Sequence, residues 1–275
     1  MTLVAPHDTI VQGQPARIWR GGSGDPLVLL HGGFGDAEQH WRANFEFFAR
    51  HFTLLAPDLP GFGVSEPIPQ PSFTAYLDWL RALLESERFI DRVRVMGNSF
   101  GAALARLYAA AHPDEVTRLI LVDGGAIPDV PGCLHPLFKL PGLSGFAFER
   151  IRRRAYSPDG LKRAILDDEH LTPEYIANAQ QASFGFVAAT RGIAATPPPT
   201  LRTPTCPTLV VWGEADQVFA PSAGRPIAES IPGAHFHLIK KAAHMPQLEQ
   251  PAVFNEVVLK FLANDERPLR VTTDD

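Results

Sequence analysis

Short apolar runs alternate with longer helical patterns along most of this chain, and that alternation limits the folds open to it. The runs are Leu27–Leu30, Phe52–Ala56, Val93–Met96, Leu119–Val122, Thr208–Trp212 and Phe236–Ile239, most ending at Gly, Pro or Asp. Such runs, rich in branched residues and closed by turn formers, read as buried strands. Helical periodicity predicts helices over Glu38–His51, Phe73–Glu87, Phe100–His112, Ser222–Ser230 and Gln250–Ala263. Strands buried on both faces and separated by helices imply an α/β fold, with a mostly parallel sheet covered on both sides. Residues 2–19 are expected to add antiparallel strands at the start.

One stretch breaks the rhythm. Residues 126–205 contain no convincing strand, only helical patterns near Leu143–Tyr156, Pro158–Asp167 and Pro173–Ala189. The chain has 26 prolines in 275 residues, roughly twice the usual frequency of about 5%. They cluster at 57–71, 128–141 and 197–207, and the last two clusters mark the ends of the strandless stretch. The expected domains are therefore a core of residues 1–125 and 206–264, a helical lid inserted at 126–205, and a polar, disordered tail at 265–275.

Composition removes several function classes. A net charge of −5 argues against a nucleic-acid partner. No apolar run approaches the roughly 18 residues of a membrane span, and the first residues lack a secretory pattern. Cys133 and Cys206 make no disulfide framework and no zinc or redox motif. The expectation is a cytoplasmic protein, monomer or homodimer, acting on a small molecule.

The chemistry gathers where strands end. Gly97-Asn98-Ser99-Phe100-Gly101 is a G-x-S-x-G sequence between a predicted strand and a predicted helix, the context in which a sharp turn exposes the serine hydroxyl. A serine hydroxyl needs a base to become nucleophilic. His244 follows the last strand and fits that role, and Asp216, after the preceding strand, fits as the carboxylate that orients it. Asp123 also ends a strand and remains an alternative acid; Glu214 reads as a turn residue. An oxyanion formed at Ser99 would need amide donors. Phe100 supplies one. Gly33, then Phe34, are the candidates for the other, in His31-Gly32-Gly33-Phe34-Gly35. His31 is expected to brace that loop. This loop lacks the third glycine of a dinucleotide fingerprint. His235 and His237 share a strand face, with no evident third metal ligand.

His31-Gly-Gly-Phe-Gly, Asp58-Leu-Pro-Gly-Phe-Gly-Val-Ser65, the serine motif, Gly213-Glu-Ala-Asp216 and His244-Met-Pro-Gln-Leu-Glu249 together resemble the α/β-hydrolase fold superfamily. The likeness spans roughly residues 27–262. It implies a mostly parallel eight-stranded sheet, a Ser99–His244–Asp216 triad, a lid at 126–205 and no metal or organic cofactor. The serine differs from the aspartate of haloalkane dehalogenases and epoxide hydrolases. Gly97-Asn98-Ser99 and Gln247–Asn255 are similar to the carbon–carbon bond hydrolases of aromatic ring cleavage. Those usually carry Gly-Pro-Gly where this chain has Phe34-Gly35, and Trp where it has Met245. The leading expectation is thus a serine hydrolase of a small ester, lactone or thioester. Carbon–carbon cleavage of a vinylogous β-diketone acid is the alternative. A non-hydrolytic lyase, isomerase or small-molecule receptor is the third reading, since fold alone does not decide function.

Phe138, Phe146, Phe184 and Met245 are candidate walls of an apolar substrate pocket, with Phe148 and Phe186 further lid aromatics. Arg191 is a candidate partner for a substrate carboxylate. The run Arg150, Arg152, Arg153, Arg154 reads as a solvated helix face or, less readily, as a recruiter of anions.

Overall fold

The computed structural model describes residues 3–128, 130–139, 141–200 and 203–263. Eight strands form one sheet: β1 (Val4–Val11), β2 (Gln14–Gly22), β3 (Asp25–Leu30), β4 (Phe52–Pro57), β5 (Val93–Asn98), β6 (Val116–Val122), β7 (Thr208–Gly213) and β8 (His235–Ile239). Their spatial order is β1-β2-β4-β3-β5-β6-β7-β8. β1 pairs antiparallel with β2, and β2 with β4; every other pairing is parallel. The expected alternation is therefore present, with the leading antiparallel pair on one edge.

Ten α-helices accompany the sheet among the described residues: α1 (Ala37–Phe48), α2 (Phe73–Ser86), α3 (Phe100–Ala111), α4 (His135–Lys139), α5 (Pro141–Ala155), α6 (Pro158–Leu161), α7 (Pro173–Ala194), α8 (Gly224–Glu229), α9 (Pro246–Glu249) and α10 (Pro251–Ala263). Local chemistry starts several of them. Asp36 caps α1 by accepting from the Gln39 amide, and Ser72 caps α2 by accepting from the Ala75 amide. Thr172 caps α7 with Pro173 in the first turn, where its missing N–H costs nothing.

The central strands are buried on both faces, and their side chains alternate between two cores. Val28, Leu30, Val95, Leu119, Leu121 and Val210 pack with Trp79, Leu83, Leu104 and Leu107 of α2 and α3. Leu27, Leu29, Met96, Ile120, Val122 and Val211 pack on the other face with Trp41 and Phe48 of α1 and Phe254 and Val258 of α10. Each fully buried Leu or Val is worth roughly 1.5–3 kcal/mol, so a register slip that moved these residues to the wrong face would be heavily penalised.

The stretch between β6 and β7 holds α4 to α7 and no strand among its described residues. Two helical expectations need correction there. The pattern over 158–167 yields only the single turn α6; farther on, the Leu166 and Asp167 amides donate to Glu249 instead of to helical carbonyls, and Asp167 caps a 3-10 turn at Asp168–His170. The last helix runs on to Ala194, past the expected end at Ala189, stopping before the prolines at 197–199. In the core, residues 221–223 form a 3-10 turn ahead of α8 rather than part of it. The tail at 265–275 lies outside the described residues.

Candidate active site

Four loops meet at the C-terminal edge of the parallel strands. The turn after β5 is the tightest. Ser99 has φ 53° and ψ −111°, a left-handed conformation that costs a non-glycine residue of order 1–3 kcal/mol. The surroundings hold it there. The Ser99 amide donates to the Val122 carbonyl at 2.8 Å. A Cβ on Gly97 would come within 2.2 Å of the Gly101 carbonyl oxygen, and one on Gly101 within 2.3 Å of that of Leu30. Both flanking glycines are thus required by close backbone approach. Phe100 then begins α3, whose first amides lack intrahelical acceptors and lie beside Ser99.

His244 follows β8 and is fully buried. Its Nδ1 lies 2.8 Å from Asp216 Oδ2, and both side chains are closed to solvent. The other oxygen of Asp216 accepts from the amides of Val218 and Phe219, at 2.7 and 3.0 Å. These bonds fix the carboxylate, which in turn fixes the imidazole plane. Phe34 meets the His244 ring edge-on at 5.9 Å, and Phe219 lies at 5.6 Å. His244 Nε2 is buried and makes no hydrogen bond here, so the bond to Ser99 Oγ is not closed in this geometry. Such bonds commonly tighten only when substrate is bound.

Asp123, the alternative acid, lies beside this pair. Its Oδ1 accepts from the Gly213 amide at 2.8 Å. Burial first, and the adjacent Asp216 charge second, push its carboxyl well above the usual carboxylate range. The carboxylate on His244 is that of Asp216. Ligand-type atoms of Asp123, Asp216 and His244 all lie within 4.8 Å of one another. A cation there would compete for the lone pair that the 2.8 Å hydrogen bond uses.

The loop after β3 carries the remaining expected donors, and side chains hold its carbonyls one after another. His31 Nδ1 lies 2.7 Å from the Gly32 oxygen, and its Nε2 accepts from the Leu59 amide at 2.8 Å. That second bond makes Nδ1 the protonated nitrogen, consistent with burial lowering the ring to about 4. The Tyr156 hydroxyl donates to the Gly33 oxygen at 2.8 Å, and Gln39 Nε2 to the Phe34 oxygen at 2.7 Å. A Cβ on Gly32 would sit 3.1 Å from Ser99 Cβ, so the loop abuts the serine.

Several contributors escaped the sequence reading. Asn98 donates to the carbonyls of Val122 and His244, at 3.3 and 3.1 Å, tying the base loop to the serine strand. Glu249 accepts from the amides of Ala243, Leu166 and Asp167. His40 is buried beside His31 with its rings 5.5 Å apart. Asn98 had a usable signal, a polar residue ending a buried strand before the serine. Glu249 reaches Leu166 and Asp167 across more than eighty positions, and neither it nor His40 had a signal.

The expected lid residues divide. Phe146 is 73% exposed and Phe184 58% exposed, which corrects the expectation that they wall a pocket. Phe184 lies under the Arg152 guanidinium at 4.3 Å. Phe138 packs near Phe148, with centroids 6.0 Å apart, and its carbonyl accepts from Arg191 at 3.2 Å. On α7, Arg191 and Phe184 are about two turns apart on one face, whereas Ala182, Ala189 and Ile193 pack on the core from the other. Arg191 thus faces α4, not the serine. Met245 is fully buried, its sulfur 3.1 Å from the Tyr175 hydroxyl, in a cluster with Tyr156, Leu161, Ala164 and Ile165. Phe186 is the aromatic that reaches the site, since a Cβ on Gly33 would lie 2.5 Å from its ring. Phe186 also meets Phe100 edge-on at 6.2 Å. Arg152 and Arg153 both bond Glu149 and hold its carboxyl down at about 2, so half of the basic run is engaged within its own helix.

Comparison with known proteins agrees with this fold. A family model described as the alpha/beta hydrolase family matches residues 27–257. A 2-hydroxy-6-oxononadienedioate/2-hydroxy-6-oxononatrienedioate hydrolase of Cupriavidus pinatubonensis is 29% identical, over 89% of each chain. A 2-hydroxy-6-oxo-6-(2'-aminophenyl)hexa-2,4-dienoic acid hydrolase of Metapseudomonas resinovorans is 26% identical, covering 91% of this chain and 88% of its own. Among solved structures, a thermophilic esterase of Thermogutta terrifontis superposes with a TM-score of 0.74 at 27% identity, covering 94% of this chain and 98% of its own.

Proposed function

The chain belongs to the alpha/beta hydrolase family, and from that premise we propose that it is a serine hydrolase of small, predominantly apolar esters, lactones or thioesters. The observation that carries this reading is the buried His244–Asp216 pair at 2.8 Å, at the same sheet edge as the strained turn of Ser99. His244 Nε2 takes the Ser99 proton as the hydroxyl attacks the carbonyl. Asp216 holds Nδ1–H and stabilises the imidazolium that forms. Amides of Phe100 and of Gly33 or Phe34 receive the oxyanion. His244 returns the proton to the leaving group, then activates water to release the acid. No step calls for a metal or organic cofactor.

The apolar preference rests on Phe34, Phe100 and Phe186 around the serine, and on Arg191 turning away from it. A panel of p-nitrophenyl esters, with a fluorophosphonate label mapped by peptide analysis, tests the reading. Activity should be present, label should fall on Ser99, and Ser99→Ala should lower kcat by about a thousandfold or more. Activity untouched by Ser99→Ala would refute it.

The two bacterial relatives support a second reading, carbon–carbon bond hydrolysis of a ring-cleavage product by the same residues. Decolourisation of a yellow 2-hydroxy-6-oxodienoate faster than any ester is hydrolysed would favour it.

A further inference from the structure

We infer that Tyr156, contributed by the helical insertion, is a positioning residue for the oxyanion hole, holding the Gly33–Phe34 peptide so that the loop's amides stay aimed at Ser99. The inference rests on the serine-hydrolase reading above. In a trans peptide the C=O and N–H point in opposite directions. Fixing the Gly33 oxygen therefore fixes the Phe34 N–H. The Tyr156 hydroxyl makes that bond at 2.8 Å from a buried position. His31 acts likewise on the Gly32 oxygen, which fixes the Gly33 N–H, and Gln39 holds the Phe34 oxygen.

Without these bonds the loop would be free to turn. Gly33 has no side chain to restrict it, and it cannot acquire one because the Phe186 ring fills the space a Cβ would take. His31 and Gln39 belong to the core; Tyr156 is the anchor from the insertion. Its ring is fixed too, at 5.1 Å from Phe34 and 6.3 Å from Phe186. The same part of the insertion holds the base loop, since the His244 amide donates to the Ala164 carbonyl at 3.0 Å. A pre-aimed donor needs no reorganisation when charge develops, which is where such donors gain their effect.

Tyr156→Phe removes only the hydroxyl. With p-nitrophenyl butyrate, kcat should fall about tenfold while KM stays within about twofold, a loss confined to the transition state. Phenylboronic acid forms a tetrahedral anionic adduct on a serine, and its affinity, measured by calorimetry, should weaken by about the same factor. Val258→Ala, fully buried on α10 beneath the other face of the sheet, is the control. It should lower the melting temperature and leave kcat and boronate affinity as they were. Wild-type kcat and boronate affinity in Tyr156→Phe would overturn the inference, as would an equal loss of both in Val258→Ala. If the ester is not turned over but boronate binds Ser99 and Tyr156→Phe weakens it, the ester reading falls and the role of Tyr156 stands. Failure of boronate to bind the wild-type protein would overturn both.

Discussion

The insertion between β6 and β7 has two halves with opposite relations to the rest of the molecule. Its second half is sewn into the candidate active site. Tyr156, Leu161, Ala164, Ile165 and Tyr175 are buried against Phe34, Met245 and Leu248, and polar bonds run from this half to Gly33, His244 and Glu249. The first half is different. Leu134, Leu137, Phe146 and Ile151 are exposed, and Arg153 bonds a neighbour on its own helix. A single word such as lid hides this difference. One half packs on the candidate site; among its described residues the other buries few side chains, the condition under which local opening is cheap.

Substitutions can break or sharpen that contrast. The largest effect is expected where the second half meets the chemistry: His244→Ala should lower ester turnover by about a thousandfold or more, with the fold intact by circular dichroism. Next is Leu161→Ala, which removes a fully buried side chain from the second half. It should cost roughly 2–5 kcal/mol by urea unfolding, the usual range for such a cavity. If it costs no more than a surface change, the second half is not the scaffold described here.

A pH experiment examines the loops that this half leans on. Burial, then the Asp36 charge, raise the Asp58 carboxyl from its ordinary 3.8 to about 7. The folded state therefore holds a proton that the unfolded state has lost, and this group makes stability fall as pH rises across that window. His31 acts oppositely. Burial lowers it from 6.5 to about 4, so its contribution to stability is lost as pH falls through that interval. Asp58→Asn should remove the first effect, so that the variant gains stability relative to wild type as pH rises from about 4 to 7. Parallel stability curves for the two proteins would show that Asp58 does not titrate as its burial implies.

The smallest effect belongs to the first half. Phe146→Ala should change unfolding free energy by no more than about 0.5 kcal/mol, as expected of an exposed site. A loss as large as that of Leu161→Ala would erase the contrast between the halves.

Much of this was legible in the residues. The strands Phe52–Pro57 and Thr208–Gly213 announce themselves because burial on both faces demands unbroken apolar runs. Ser99, Asp216 and His244 each follow such a run, and the fold brings the ends of those runs to one sheet edge. The one-turn α6 was not readable, since the amides of Leu166 and Asp167, where the pattern would continue, are taken by Glu249 more than eighty positions away. The lid aromatics were misassigned for a related reason: composition names five phenylalanines, but only helix orientation says that Phe186 faces inward and Phe184 outward.

The sequence alone determined the α/β alternation, the strandless helical stretch between β6 and β7 and the sharp serine turn, because hydrophobic periodicity and glycine punctuation are local. Tertiary structure decided which carboxylate meets His244, which aromatic reaches Gly33, and that Tyr156 holds the loop beside Ser99. Those outcomes join residues far apart in the chain, Tyr156 to Gly33 across 123 positions. No local pattern encodes such a contact; it exists only once the two cores have packed and brought the loops to one edge.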